Sequence, residues 1–228
     1  MSNLDLPLVG YEADRLPQTI ATRTRRVYDR LAAVYPLSTM FFHSRAHRAA
    51  LKDSGIRNGM CVLEAATGSG EMFRRLVGAN PEGTTLGFDL SPNMAARTLR
   101  RVRRRHPDSQ VLCQAVDARQ MPFSGETFDA LVCCYLLELL STEDIVSTIN
   151  EFHRVLRPGG SLSLILIGQN STLFNQIYKV LGSMVPAFWG SQVENRVPEL
   201  IEARGFRISS DRVVRQTFYP SRILVARR

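Results

Sequence analysis

The residues able to do chemistry in this chain are first of all three carboxylates, Glu64, Asp89 and Asp117, each placed where an apolar run gives way to a polar turn. The first opens LEAATGSGEMF, Leu63 to Phe73, a glycine-containing stretch of the kind that cradles a nucleotide. A dinucleotide fingerprint needs a third glycine three residues after the second, and Phe73 holds that place. The other register, acid-x-Gly-x-Gly-x-Gly, reads Glu64, Ala66, Gly68 and Gly70, with alanine where the first glycine belongs. Asp89 follows Glu64 near the roughly 20-residue separation of an acid that accepts hydrogen bonds from ribose hydroxyls. Additional carboxylates repel a pyrophosphate, whereas an amine or a sulfonium is attracted to them. The set suits an adenosine carrying positive charge rather than phosphate.

The elements that must position these residues alternate in type from Met60 onward, which predicts βαβ units and a parallel sheet covered on both faces. MCVLEA, TTLGFDL, QVLCQAVDA, FDALVCCYLL and SLSLILIG read as five strands. Met72, Phe73, Leu76 and Val77 recur at helical spacing after Gly70, and Gly78, Asn80 and Pro81 end that helix. SPNMAARTLRRVRRRHP reads as a helix with Pro92 in its first turn and Ala95, Leu99 and Val102 facing the sheet. Its Arg97, Arg100, Arg101, Arg104 and Arg105 lie off that stripe, and a solvated face is favoured over a nucleic-acid or membrane contact. Ser141 starts the next helix with Asp144 three residues on, Ile145, Ile149, Phe152 and Leu156 form its stripe, and RPGG breaks it. Glu138, in LLELL, reads equally as a helix-start charge or a site residue. A helix through VPELIEARG and two strands, FRISSDRVV and TFYPSRILVAR, complete the chain. In such open sheets ligands bind beyond the carboxyl ends of the strands, where Glu64, Asp89 and Asp117 all fall.

Two segments stand outside this core. The first carries Val27, Leu31, Val34 and Tyr35 on one helical face with Arg23, Arg26 and Arg30 elsewhere; the second has Ile177, Leu181, Met184, Val185 and Phe188 in a helical stripe. Both are rich in apolar and aromatic residues flanked by arginine, which suits covering the sheet and suits a lipophilic acceptor drawn from a membrane surface equally well.

A chain of 228 residues buries one sizeable core, and 44% hydrophobic with 22% charged residues is an ordinary globular balance. MSNLDLPLVG lacks the basic start and apolar core of a signal peptide, and ALVCCYLLELL, interrupted by Glu138, is far short of the roughly 20 residues of a membrane span. The expected location is cytoplasmic. Cys61, Cys113, Cys133 and Cys134 show no ligand spacing and read as core thiols, so no metal is expected. The net charge of +8 favours anionic partners, but no RNA-binding module or interleaved basic and aromatic motif is present, which disfavours nucleic acid.

Glu64 to Gly70, GFDLSPNM, AVDARQMPFSGETFDALVC and RVLRPGG, in this order, resemble the class I S-adenosylmethionine-dependent methyltransferases. The subset most like this chain is the ubiquinone/menaquinone biosynthesis methyltransferases and their relatives, including bacterial phospholipid N-methyltransferases; the core likeness spans about residues 60–168. The resemblance implies an α/β fold: a Rossmann-like seven-stranded sheet, mostly parallel with an antiparallel last strand, and an N-terminal helical lid. It divides the chain into a lid over residues 1–55 and an S-adenosylmethionine-binding domain over 56–228. It further implies that the loop of Glu64, Ala66, Thr67, Gly68 and Gly70 wraps the methionine portion and that Asp89 accepts from both ribose hydroxyls. Leu90 then packs on the adenine, Asp117 and Ala118 bind its edge, and Cys134 lies beside the methionine end and the acceptor. Turn or cap roles are the alternative for Asp89 and Asp117. If the position of Ala66 needs a positive φ, its Cβ costs about 1 kcal/mol or more.

The acceptor implied is small and lipophilic, a quinone-type ring, with a peripheral membrane contact at the inner face. Phospholipid headgroup or other small-molecule N- or O-methylation, and non-catalytic cofactor binding, are the alternatives. Tyr28, Tyr35, His43 and His47, from the N-terminal segment, are the candidates for contacting the acceptor or serving as a base, and packing or surface exposure is favoured for each.

Overall fold

The computed structural model describes residues 43–168, 193, 195–216 and 220–228. The helical stripes expected around Val27 and Ile177, and the candidates Tyr28 and Tyr35, lie outside the described residues.

Helix α1 (Ser44–Asp53) precedes the sheet strands. The chain then runs β1 (Cys61–Ala65), α2 (Glu71–Ala79), β2 (Thr84–Asp89), α3 (Pro92–Arg103), β3 (Gln110–Ala115) and β4 (Phe128–Cys134). It continues through a 3₁₀ turn at Leu137–Leu139, α4 (Thr142–Val155), β5 (Leu156–Ile167), α5 (Val197–Glu202), β6 (Arg207–Val214) and β7 (Ser221–Arg227). Seven strands form one sheet in the order β3-β2-β1-β4-β5-β7-β6. Strands β1 to β5 pair in parallel, and only β7 is reversed, antiparallel to both β5 and β6. This is the mostly parallel, Rossmann-like sheet with an antiparallel last strand that the motifs imply.

The near-continuous apolar runs of the central strands follow from burial on both faces. On one face Val62, Ala130 and Val132 meet Met72 and Leu76 of α2, and Ile165, Ile223 and Val225 meet Ala46 and Ala50 of α1. On the other, Leu63, Leu131, Leu164 and Leu224 pack with Ile145, Ile149 and Phe152 of α4 and Ile201 of α5. Helix α1, assigned to the outer segment by its position in the sequence, is thus packed on β5 and β7, and Ser54 O accepts from Ser161 Oγ at 2.6 Å.

Local capping agrees with the sequence. Ser91 Oγ accepts from Met94 N with Pro92 in the first turn of α3, and Ser141 Oγ accepts from Asp144 N at the start of α4. Two boundaries differ. Strand β4 stops at Cys134 instead of running on through the leucines, because Tyr135 turns into the left-handed region at φ +54° and the chain enters the 3₁₀ turn. Strand β5 starts at Leu156 and takes in RPGG. Gly159 N donates to Arg228 O and Arg228 N to Gly160 O, so the chain end continues the β5–β7 ladder past the glycines.

Candidate active site

The carboxyl ends of β1 and β2 lie side by side, with Ala65 paired to Phe88. Glu64, the penultimate residue of β1, is 1% exposed, and its Oε2 has no hydrogen-bond partner among the described residues. Burial first, and the Asp89 charge second, push its carboxyl well above the usual range. A buried carboxylate left unpartnered is costly, so this one is poised for a cation or a strong donor.

Beyond β1 the backbone turns through Ala66 (φ +58°), Gly68 (φ +48°) and Gly70 (φ +75°). Ala66 therefore does sit where a Cβ is disfavoured. Gly70 is the N-cap of α2, and a Cβ there would meet Thr98 Oγ1 at 2.6 Å, so the close approach of α3 needs glycine. The loop is braced from several sides. Thr67 N donates to Phe88 O at 2.9 Å, Thr98 Oγ1 to Gly68 O at 3.3 Å, and Arg101 to Ser69 O at 3.3 Å. Arg74, Arg75 and Arg101 all reach the buried carboxylate of Glu71 in the first turn of α2.

Asp89 ties the loop to the next strand: Oδ2 accepts from Gly68 N at 2.8 Å and Oδ1 from Ser91 N at 2.9 Å. Leu90, next along, is half-buried.

Just past β3 the chain continues beside the end of β2, with Val116 N donating to Asp89 O at 3.0 Å. That places the Asp117–Ala118 corner next to Asp89; both residues are buried. The Asp117 carboxylate is held by Arg119, an interaction the sequence did not reveal. Residues 116–123 are then clamped to α4: Met121 N donates to Glu151 Oε2 at 2.6 Å, and Arg154 donates to Met121 O and Phe123 O at 2.9 and 2.7 Å.

At the end of β4, Cys134 is half-buried, and burial followed by the Glu64 charge raises its thiol well above the usual range, so it is an uncharged wall. Tyr135 was not singled out from the sequence; an aromatic residue directly after a strand end on the ligand side is the signal it carried. Its hydroxyl lies 2.7 Å from Ser221 Oγ, and Gln216 Nε2 donates to both. Its ring stacks on His43 with centroids 4.4 Å apart. A bulky residue with positive φ is costly, and such residues cluster at ligand sites.

His43 and His47, at the start of α1, are both buried, and burial pushes them down to about 4 and about 3. Both are neutral imidazoles at pH 7. The structure thus brings His43 to the β4 end while His47 lies one turn further into the packing of α1. Glu138, on the 3₁₀ turn, is 2% exposed and accepts from Ile167 N at 2.6 Å, joining the turn after β4 to the end of β5. Of the arginines of α3, Arg100, Arg101 and Arg103 lie in its last turn and Arg97 in its middle. Arg101 reaches the loop after β1, through Ser69 O and Glu71, and is part of its bracing. No group of three or more His, Cys, Asp or Glu side chains among the described residues could hold a metal ion, and no described helix is long and apolar enough to cross a membrane.

A family model described as a methyltransferase domain matches residues 62–160. The chain is 27% identical over 183 residues to the ubiquinone/menaquinone biosynthesis C-methyltransferase of Cellvibrio japonicus, covering 77% of this chain and 72% of that one. It is 28% identical over 170 residues to the 2-phytyl-1,4-naphtoquinone methyltransferase of Nostoc punctiforme, covering 70% and 72%. Among solved structures, the N-methyltransferase NodS from Bradyrhizobium japonicum, in complex with S-adenosyl-L-homocysteine, superposes with a TM-score of 0.71 at 16% identity, over 90% of this chain and 97% of that one.

Proposed function

Since the chain is a class I S-adenosylmethionine-dependent methyltransferase resembling the ubiquinone/menaquinone C-methyltransferases, we propose that its acceptor is a small lipophilic molecule with a quinone-type ring. The observation that carries the cofactor's placement is Glu64, whose buried, unpartnered Oε2 beside Asp89 suits the positive charge of a sulfonium amino acid and would repel a phosphate. The loop of Ala66, Thr67, Gly68 and Gly70, left-handed at all but Thr67, holds the methionine portion, and Asp89 accepts from the ribose hydroxyls while keeping Gly68 N. Leu90 packs on the purine, whose edge borders the Asp117–Ala118 corner, and Cys134 closes the methionine end.

When bound, S-adenosylmethionine supplies a methyl group already activated by its sulfonium for in-line displacement. What the protein adds is alignment and exclusion of water, and good orientation is worth roughly 7–11 kcal/mol of such a barrier. His43 and Tyr135 form an aromatic wall beside Cys134 against which a flat ring can stack, with Tyr135 Oη, Ser221 Oγ and Gln216 at its polar end. The neutral state of His43 keeps that wall compatible with an uncharged acceptor. The names of the quinone methyltransferase relatives support the same acceptor class.

The test is methyl transfer from labelled S-adenosylmethionine to a panel of reduced quinones and phospholipids in detergent micelles, read by mass spectrometry of the extracted lipid. Transfer to a ring carbon of a quinol supports the reading. Transfer only to headgroup nitrogen, or cofactor binding without turnover on any acceptor, overturns it.

A further inference from the structure

Asp117 is 9% exposed, and its carboxylate is surrounded by one neighbour. Oδ1 accepts from Arg119 N at 2.9 Å and from Arg119 Nε at 3.0 Å; Oδ2 accepts from Arg119 Nη2 at 2.6 Å and from Nε at 3.1 Å. A carboxylate offers about four lone-pair positions, and the three N–H groups of Arg119, with the Nε hydrogen shared between both oxygens, take most of them. Arg119 is held in turn: its Nη1 donates to Asp144 Oδ1, at the start of α4, at 3.0 Å. Hydrogen bonds to Asp117 first, and to Asp144 as well, raise the guanidinium above its usual range, so the pair does not open by deprotonation. The clamps on Met121 and Phe123 fix the backbone that carries it.

We propose that Arg119 is a specificity-determining residue at the purine end of the cofactor site: by occupying Asp117, it withdraws the carboxylate as a reader of the purine 6-amino group. The purine is then held by its fit beside Leu90 and the Asp117–Ala118 corner, and the amino group contributes little. This rests on the cofactor placement proposed above. Asp117 and Arg119 act together as a staple between the segment after β3 and α4, and the ligand meets the staple rather than a free acceptor.

The experiment is calorimetric titration of the full chain with S-adenosyl-L-homocysteine and with its 6-deamino analogue, in which purine replaces adenine and the ring nitrogens are kept. The expected result is a less than fivefold preference for the amino compound in the unaltered protein. Arg119→Gln frees the carboxylate, and the preference rises about tenfold or more, the scale of one hydrogen bond to a charged acceptor. Arg119→Lys, whose ammonium cannot fork across both oxygens, moves the ratio in the same direction and serves if the glutamine variant does not fold. A preference above fivefold in the unaltered protein, or a ratio that stays put in the Arg119 variant that folds, overturns the proposal. Undiminished binding of S-adenosyl-L-homocysteine to Asp89→Ala overturns the placement itself, and is read separately from the ratio.

Discussion

Replacing Ala66 with glycine tests the loop backbone directly, because the sign of the stability change is set by its left-handed conformation at φ +58°. Three terms enter. A left-handed L-residue costs about 1–2 kcal/mol, which glycine relieves. Glycine adds unfolded-chain entropy worth about 0.4–1 kcal/mol in the opposite direction. The methyl group of this half-buried residue contributes about 0.4 kcal/mol, half of the value for a fully buried one. With mid-range values the sum is about +0.4 kcal/mol, a stabilisation that raises the melting temperature by about 1–2 °C in a chain of this size. Were the residue in an ordinary negative-φ conformation, the first term would vanish and the variant would lose about 1 kcal/mol. Urea unfolding of both proteins, followed by circular dichroism and compared at equal slope, separates the two cases. The loop already has this geometry and its bond from Thr67 N to Phe88 O, so affinity for S-adenosyl-L-homocysteine should change less than twofold. A loss near 1 kcal/mol, or a tightening beyond fivefold, would refute the reasoning.

Asp89→Ala should weaken S-adenosyl-L-homocysteine at least tenfold by calorimetry, because it removes a charged acceptor and releases Gly68 N and Ser91 N together. The raised carboxyl of Glu64 works against folding as pH climbs. Its folded-state value exceeds the unfolded one of about 4.3, so stability is full below that pH and is lost as pH rises toward the folded value. Glu64→Gln should therefore stabilise the ligand-free protein at neutral pH in thermal melts across a pH series while weakening cofactor binding; a variant less stable at every pH would contradict this. His43 and His47 carry the opposite dependence: lowered to about 4 and about 3, they contribute stability above the unfolded value of about 6.5 that falls away as pH drops through that range, and His47→Gln should flatten the acid limb. Tyr135→Phe leaves Ser221 and Gln216 without the phenol oxygen, which costs about 1–2 kcal/mol of stability, and should raise the acceptor KM while leaving S-adenosyl-L-homocysteine affinity unchanged. Unchanged kinetics would remove Tyr135 from the acceptor wall.

Much of this protein was determined by the sequence alone. Strands and helices are set by periodicities of two and 3.6 residues that neighbouring side chains impose, and the alternation of β1, α2, β2, α3 and β3 follows from them. Glu64, Gly68, Gly70 and Asp89 were legible because each stands at a strand end or turn whose place the local pattern defines, and so were the Ser91 and Ser141 caps. Ala66 was legible as a departure, though its positive φ is set by the tertiary turn beyond β1. The tertiary structure decided what depends on residues far apart in the chain. Asp144, 25 positions beyond Arg119, completes the staple on Asp117. Ser221 meets Tyr135 across a separation of 86 positions, because the reversed β7 returns its first residue to the carboxyl edge of the sheet. The same reversal brings Arg228 against Gly160 and turns RPGG from a helix breaker into the start of a strand. A side chain's neighbours along the chain are settled by covalent spacing, whereas its partner across the fold is settled by which strand edges pair and which faces are buried, and that pairing is what gave Tyr135 its Ser221 and Arg119 its Asp144.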